Sequence, residues 1–194
     1  MASLVVVTGP PGAGKSTVAR ILAGRFHPSV LVEGDVFFAF LAHGAIEPWL
    51  PAANRQNEIV TRAAASAAGR YTDGGYTTVY DGVVGPWFLP TFLAASGLDH
   101  IDCVVLQPSI ERCLARVATR RGHGFTDEAA TRKMHDEFAH ADIDPRHILF
   151  DPPDEPERVA DLVLAAQAGG RLVFISARSH AQDTIDGRSP SPPE

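Results

Sequence analysis

The sequence predicts a single α/β domain in which a parallel sheet is covered by helices on both faces. Three observations predict it. Short apolar, β-branched runs alternate along the chain with stretches of helical periodicity. The first run passes directly into a glycine loop and then a helix. A chain of 194 residues at 45% hydrophobic composition suits one sizeable core and is short for two.

The elements follow in order. Leu4 to Thr8 is a buried strand ending at Gly9, and Ser16 to Arg25 is helical through Val18, Ile21 and Leu22. Val30 to Val32 is a second strand, stopping at Glu33-Gly34-Asp35. Phe37, Phe38, Phe40 and Leu41 begin an aromatic-rich helix, which a proline-punctuated stretch from Glu47 to Pro51 interrupts. Asn54 to Arg70 is alanine-rich without an internal proline, so it predicts a helix ending near Gly69. Tyr76 to Tyr80 is a third strand, closed by Asp81-Gly82, and Asp102 to Leu106 a fourth. Ser109 suits the N-cap of a helix reaching about Arg121, where Gly122 ends it. Thr126 caps a helix beginning Asp127-Glu128, whose early acids suit the helix dipole. Ile148 to Phe150 is a fifth strand. Glu157 to Ala168 is a last helix sheltering Val159, Leu162, Val163 and Ala166. Leu172 to Ile175 offers a sixth strand or an edge extension. The domain is expected over 1–178, with 179–194, rich in Ser, Pro and charge, as a flexible tail.

A formal net charge of −6 supplies no basic field for nucleic-acid phosphates, so nucleic acid is not an expected partner. Met1 to Val7 lacks the charged start and long apolar run of a signal peptide, and no stretch is long enough to span a bilayer. The expectation is a cytoplasmic monomer or homodimer. Cys103 and Cys113 lack metal-ligand spacing and read as small core residues without a disulfide.

Gly9-Pro10-Pro11-Gly12-Ala13-Gly14-Lys15-Ser16-Thr17 has the spacing of a phosphate cradle, or P-loop. Backbone N–H groups must converge on phosphate oxygens, and side chains at the glycines would block the approach. Lys15 is placed for the β- and γ-phosphates of ATP and Ser16 for Mg²⁺, while the helix starting there turns its positive end to the anion. Only Lys15 and Lys133 among the basic residues are lysine.

Two acids stand at carboxyl ends of strands, where open α/β sheets collect ligands. Asp35 is the candidate base for an acceptor hydroxyl, or an N-cap for the Val36 to Leu41 helix. Asp81 is placed to hold Mg²⁺ or one of its waters, or to serve a strand-end Asp-Gly turn; Glu33 is a weaker alternative. Arg112, Arg116 and Arg120 share a helix face before Gly122-His123-Gly124. They read either as a lid over ATP or as a solvated face, with Arg132 a further candidate. Around these acids lie Phe37, Phe38, Phe40, His43, Trp49, Asn54 and Arg55, then Trp87 and Phe88. Trp49 and Trp87 are set in loops by neighbouring prolines and best suit an acceptor pocket.

Together the P-loop, the Glu33-Gly34-Asp35 step and the Asp81-Gly82 strand end resemble the small P-loop kinases of the chloramphenicol phosphotransferase, zeta-toxin and gluconate/shikimate kinase type, over roughly residues 3 to 168. The resemblance implies a three-layer P-loop NTPase fold with a five-stranded parallel sheet in order 2-3-1-4-5 and a short arginine-bearing lid. It implies Asp35 as base for the acceptor hydroxyl. The Asp81 to Trp87 segment departs from the Gly-rich turn of shikimate kinases. The expected function is transfer of the ATP γ-phosphoryl to a hydroxyl of a sugar, metabolite or antibiotic. Lys15, Asp35 and Arg120 would serve catalysis, Arg116 and Arg120 the nucleotide, and Ser16 and Asp81 the metal. Phe38, Trp49, Arg55, Asp81 and Trp87 would join Asp35 around the acceptor. A nucleoside or nucleotide kinase and a nucleotide-binding regulator are the alternatives.

Overall fold

The structure is a computed structural model describing residues 2–119 and 126–175. β1 (Leu4–Thr8) leads through the glycine loop into α1 (Lys15–Gly24), followed by β2 (Ser29–Glu33), α2 (Gly34–Ala39), α3 (Asn54–Asp73) and β3 (Thr77–Asp81). After these come α4 (Leu89–Ser96), β4 (Ile101–Gln107), α5 (Ile110–Thr119), α6 (Glu128–Ala139), β5 (Ile148–Phe150), α7 (Pro156–Ala168) and β6 (Val173–Phe174). Five strands run parallel in the order β2-β3-β1-β4-β5, as the resemblance implied, and β6 pairs antiparallel with β4.

Strand alternation sorts the core into two layers. Leu4 and Val6 of β1 point into a cluster with Ala64, Ala68, Phe92 and Cys103, under α3 and α4. Val5 and Val7 point the other way, to Val18 and Leu22 of α1 and Val159 and Val163 of α7. Phe92 is fully buried; burial of such a side chain is worth about 1.5–3 kcal/mol.

Several local expectations change. Gly69 does not end α3, which continues to Asp73; a Cβ at Gly69 would lie 1.9 Å from the Ser96 carbonyl oxygen of α4. The glycine is there so that two helices can approach. α4, not expected from the sequence, fills the span after Trp87 and ends at Gly97, whose φ is 75°. Asp127 rather than Thr126 caps α6, accepting from the Ala130 N–H at 2.9 Å. On α7, Val159, Ala160 and Val163 are buried, whereas Leu162 is 43% exposed. Both cysteines are buried and free, and burial pushes their thiols up, to about 12 for Cys103 and about 11 for Cys113. Arg120, Arg121, the Gly122-His123-Gly124 hinge and the tail lie outside the described residues.

Candidate active site

The glycine loop wraps the amino end of α1 with left-handed backbone, φ being 143° at Gly9, 78° at Gly12 and 95° at Gly14. Side chains there would be strained, and a Cβ on Gly12 would stand 2.3 Å from the Cys113 carbonyl oxygen. The loop is therefore clamped against α5. Lys15 opens α1, is 9% exposed, and donates from Nζ to the Pro10 carbonyl at 2.9 Å. That bond folds the ammonium back over the loop, where it faces whatever the loop N–H groups hold.

Parallel register brings the acids to the same rim. Asp81 is the last residue of β3 and pairs with Val7 on one side and Glu33 on the other. It is 7% exposed. Burial raises the pKa of its carboxyl, while a hydrogen bond from the Ser16 hydroxyl and the Lys15 charge work against that rise. A hydroxyl and a carboxylate thus meet beside the loop, an oxygen pair of the kind Mg²⁺ takes together with phosphate and water. Among the described residues no group of three or more acids, histidines or cysteines gathers as a metal cage. Asp81 closes β3 and Gly82 follows as a bend, so the strand-end position expected from the sequence is the one it occupies.

Asp35 is in the first turn of α2, whose N-cap position is Glu33. The capping role for Asp35 is therefore replaced by a place one residue inside the helix, exposed to the cavity. Behind it, Tyr80 is buried, and burial together with the charges of Asp35 and Asp81 pushes its phenol well above the usual range. Gly34 must lack a side chain here, for a Cβ would lie 2.3 Å from the Tyr80 Oη.

These groups open into a cavity of about 810 Å³. Lys15, Ser16, Asp35 and Asp81 line one end, and Phe38, Trp49, Trp87 and Phe88 stand along the walls, as expected from the sequence. Arg55 does not join them: it is exposed on α3, which turns Asn54, Asn57 and Thr61 to the cavity instead. Phe37 packs on the core, while Phe40 is 69% exposed. His43 is outside the lining. Sequence reading missed Lys133, Met134, Glu137 and Phe138 of α6, which close the far wall. The Phe138 ring lies 5.9 Å from that of Trp87.

Hydrogen bonds hold the walls. The Thr8 hydroxyl donates to the Val84 carbonyl and accepts from its N–H, both at 2.9 Å, fixing the segment that carries Trp87 to the end of β1. Gln56 bonds both backbone groups of Ile46, and Asn57 donates to the Pro48 carbonyl at 2.7 Å. The segment bearing Trp49 is thereby tied to α3, and Lys133 donates to the Trp49 carbonyl at 3.2 Å from the opposite side.

The arginine row divides. Arg112 bonds Asp151 at 2.7 Å, the Pro152 carbonyl at 2.8 Å and Asp154, so it braces the turn after β5, where Asp151 has φ 41°. Arg116 lies against the glycine loop, 3.4 Å from the Gly12 and Ala13 carbonyls, and lines a second cavity of about 300 Å³ with Gly14, Thr17 and Pro153. Arg132 pairs with Glu128 on an exposed face of α6. Two cavities therefore flank the loop, one on the Asp35 side and one on the Arg116 side.

A family model described as an AAA domain matches residues 4–141. A search of curated proteins finds no match. Among solved structures, a sugar kinase from Janibacter sp. HTCC2649 superposes with a TM-score of 0.67 at 19% identity, covering 87% of this chain and 95% of that one. The tunicamycin resistance protein of Deinococcus radiodurans gives 0.66 at 17% identity, over 87% and 96% of the two chains. A gluconokinase from Sinorhizobium meliloti 1021 gives 0.59 at 18%, over 87% and 93%. The shared feature at these identities is the fold, and it is the fold of the small P-loop kinases named from the sequence.

Proposed function

The chain belongs to the AAA domain family, and we propose that within it this protein is an ATP-dependent phosphotransferase that moves the γ-phosphoryl group to a hydroxyl of a small molecule. One observation carries the reading: Lys15, Ser16, Asp35 and Asp81 line the same end of a cavity whose remaining walls are suited to a second, non-nucleotide molecule. A nucleotide switch needs the loop but has no use for so large an adjoining pocket.

The glycine loop and Lys15 would hold the triphosphate, with Lys15 placed against charge that builds on the transferred group. Arg116 and the smaller cavity beside Gly14 and Thr17 would take the rest of the nucleotide. Ser16 and Asp81 would hold Mg²⁺, which when bound neutralises phosphate charge and aligns the phosphates. Asp35 would orient the acceptor hydroxyl and accept its proton as the oxygen attacks phosphorus. The sugar-kinase and gluconokinase neighbours support the reaction class.

The test is ADP release measured across sugars, nucleosides, nucleoside monophosphates and hydroxylated antibiotics, followed by Asp35→Asn. The variant should bind ATP normally and lose about 10²–10⁴-fold in acceptor-dependent turnover. An Asp35→Asn protein that phosphorylates its acceptor at the normal rate would remove the base assignment, and nucleotide hydrolysis indifferent to every acceptor would favour the regulator.

A further inference from the structure

We infer that the acceptor is an uncharged alcohol with an aromatic or alicyclic body, rather than a carboxylated or phosphorylated one; this rests on the kinase reading above. Charge and surface chemistry inside the larger cavity both point there.

Recognition of a carboxylate or phosphate calls for a cation, best a guanidinium fork. Among the described residues the cavity wall has three bases, and four acids, Glu33, Asp35, Asp81 and Glu137. Lys15 belongs to the phosphate end. Arg20, the one arginine among the described residues of this wall, is bonded at 2.8 Å to Glu33. Lys133 donates to the Trp49 carbonyl and stands 3.8 Å from Glu137. An anionic acceptor would have to displace an intramolecular partner and would then lie beside the carboxylate it displaced. A neutral molecule meets no such opposition.

Aromatic rings stand among the lining residues away from the glycine loop. Trp87 and Phe138 form a tilted ring pair, with Met134 beside them on α6, and Phe38 and Trp49 also line the cavity. Trp87 is half exposed although it is large and apolar, a cost that a ring stacked on it would remove. Asn57 donates from Nδ2 to the Pro48 carbonyl at 2.7 Å while its buried Oδ1 has no partner, so the wall offers a neutral acceptor suited to a hydroxyl and not to a carboxylate or phosphate. The cavity, at about 810 Å³, admits a drug-sized molecule.

Both tryptophans of the chain, Trp49 and Trp87, line this cavity, so their fluorescence reports its occupancy without any phosphoryl transfer. The experiment titrates the full chain, with Mg²⁺ and a non-hydrolysable ATP analogue present, using phenyl β-glucoside, methyl β-glucoside and phenyl β-glucuronide. Phenyl glucoside should bind about tenfold more tightly than either of the others. Trp87→Ala, read through Trp49 and checked by thermal melting, should cut the phenyl-over-methyl preference to about threefold or less. Glu137→Arg, which places a guanidinium on the α6 wall, should abolish the discrimination against the glucuronide.

Wild-type binding of the glucuronide as tight as that of the phenyl glucoside would overturn the charge argument. Equal binding of the methyl and phenyl glucosides, or no binding of any probe below about 10 mM with analogue binding intact, would overturn the stacking argument. The kinase reading fails separately, by absence of acceptor-stimulated ADP release whatever the titration gives.

Discussion

Gly34 and Tyr80 offer a test of how Asp35 is positioned. Gly34 opens α2 directly before Asp35, and its φ is not among the positive values, so alanine is tolerated by the backbone and would gain about 1 kcal/mol in helix propensity. Packing opposes this. The new Cβ would stand 2.3 Å from the Tyr80 Oη and 2.9 Å from Cζ. An ordinary contact is 3.4–4 Å, so the first turn of α2 or the Tyr80 ring must shift by about 1 Å, at an overpacking cost of about 1–3 kcal/mol. A displacement of about 1 Å at Asp35 would cost about 10²-fold in turnover, while the glycine loop, on another element, keeps its nucleotide affinity. In Tyr80→Phe the 2.3 Å contact is gone and Cζ at 2.9 Å becomes the nearest atom, a smaller overlap, so the double variant should recover part of both losses.

The measurement is a double-mutant cycle on four proteins, read first by thermal melting and then by acceptor-dependent ADP release. A coupling of at least about 1 kcal/mol in favour of the double variant is expected. Additive losses in both readouts would show that the Gly34 to Tyr80 approach does not position Asp35, and the reasoning would be wrong.

Asp81→Asn should raise the melting temperature at neutral pH while lowering Mg²⁺-dependent activity. The carboxyl titrates above its ordinary 3.8 in the folded protein because burial penalises its charge. The folded state therefore loses stability as pH rises from that value through the raised one. The gain in Asp81→Asn should shrink as pH falls toward about 4; a pH-independent difference would refute the burial cost. Gly69→Ala should destabilise by about 2 kcal/mol, overpacking against the Ser96 carbonyl exceeding the helix propensity gained. That is a fall of about 4–8 °C in Tm, whereas an unchanged or higher Tm would refute the overpacking argument.

Features encoded within a few consecutive residues were legible in the sequence. The glycine loop, its lysine and the strand before it follow from local spacing, because phosphate cradling is done by one short run of backbone. Asp35 and Asp81 could be placed at strand ends from the apolar runs preceding them. Cys103 and Cys113 read as core, and they are.

Tertiary structure decided what depends on residues far apart in the chain. Gly69 looked like a helix stop because a glycine that ends a helix and one that admits a neighbouring helix have the same local pattern, and only the approach of α4 separates them. Arg112, Arg116 and Arg120 share a four-residue spacing, yet Arg112 is taken by Asp151 and Asp154, about 40 residues away. Lys133, Met134, Glu137 and Phe138 carry no motif, and they line the larger cavity only because the fold brings α6 to it. Short-range spacing thus determined the phosphate end of the site by itself. The walls of the larger cavity were decided by packing between elements, since a cavity wall is a property of surfaces brought together and not of any one segment.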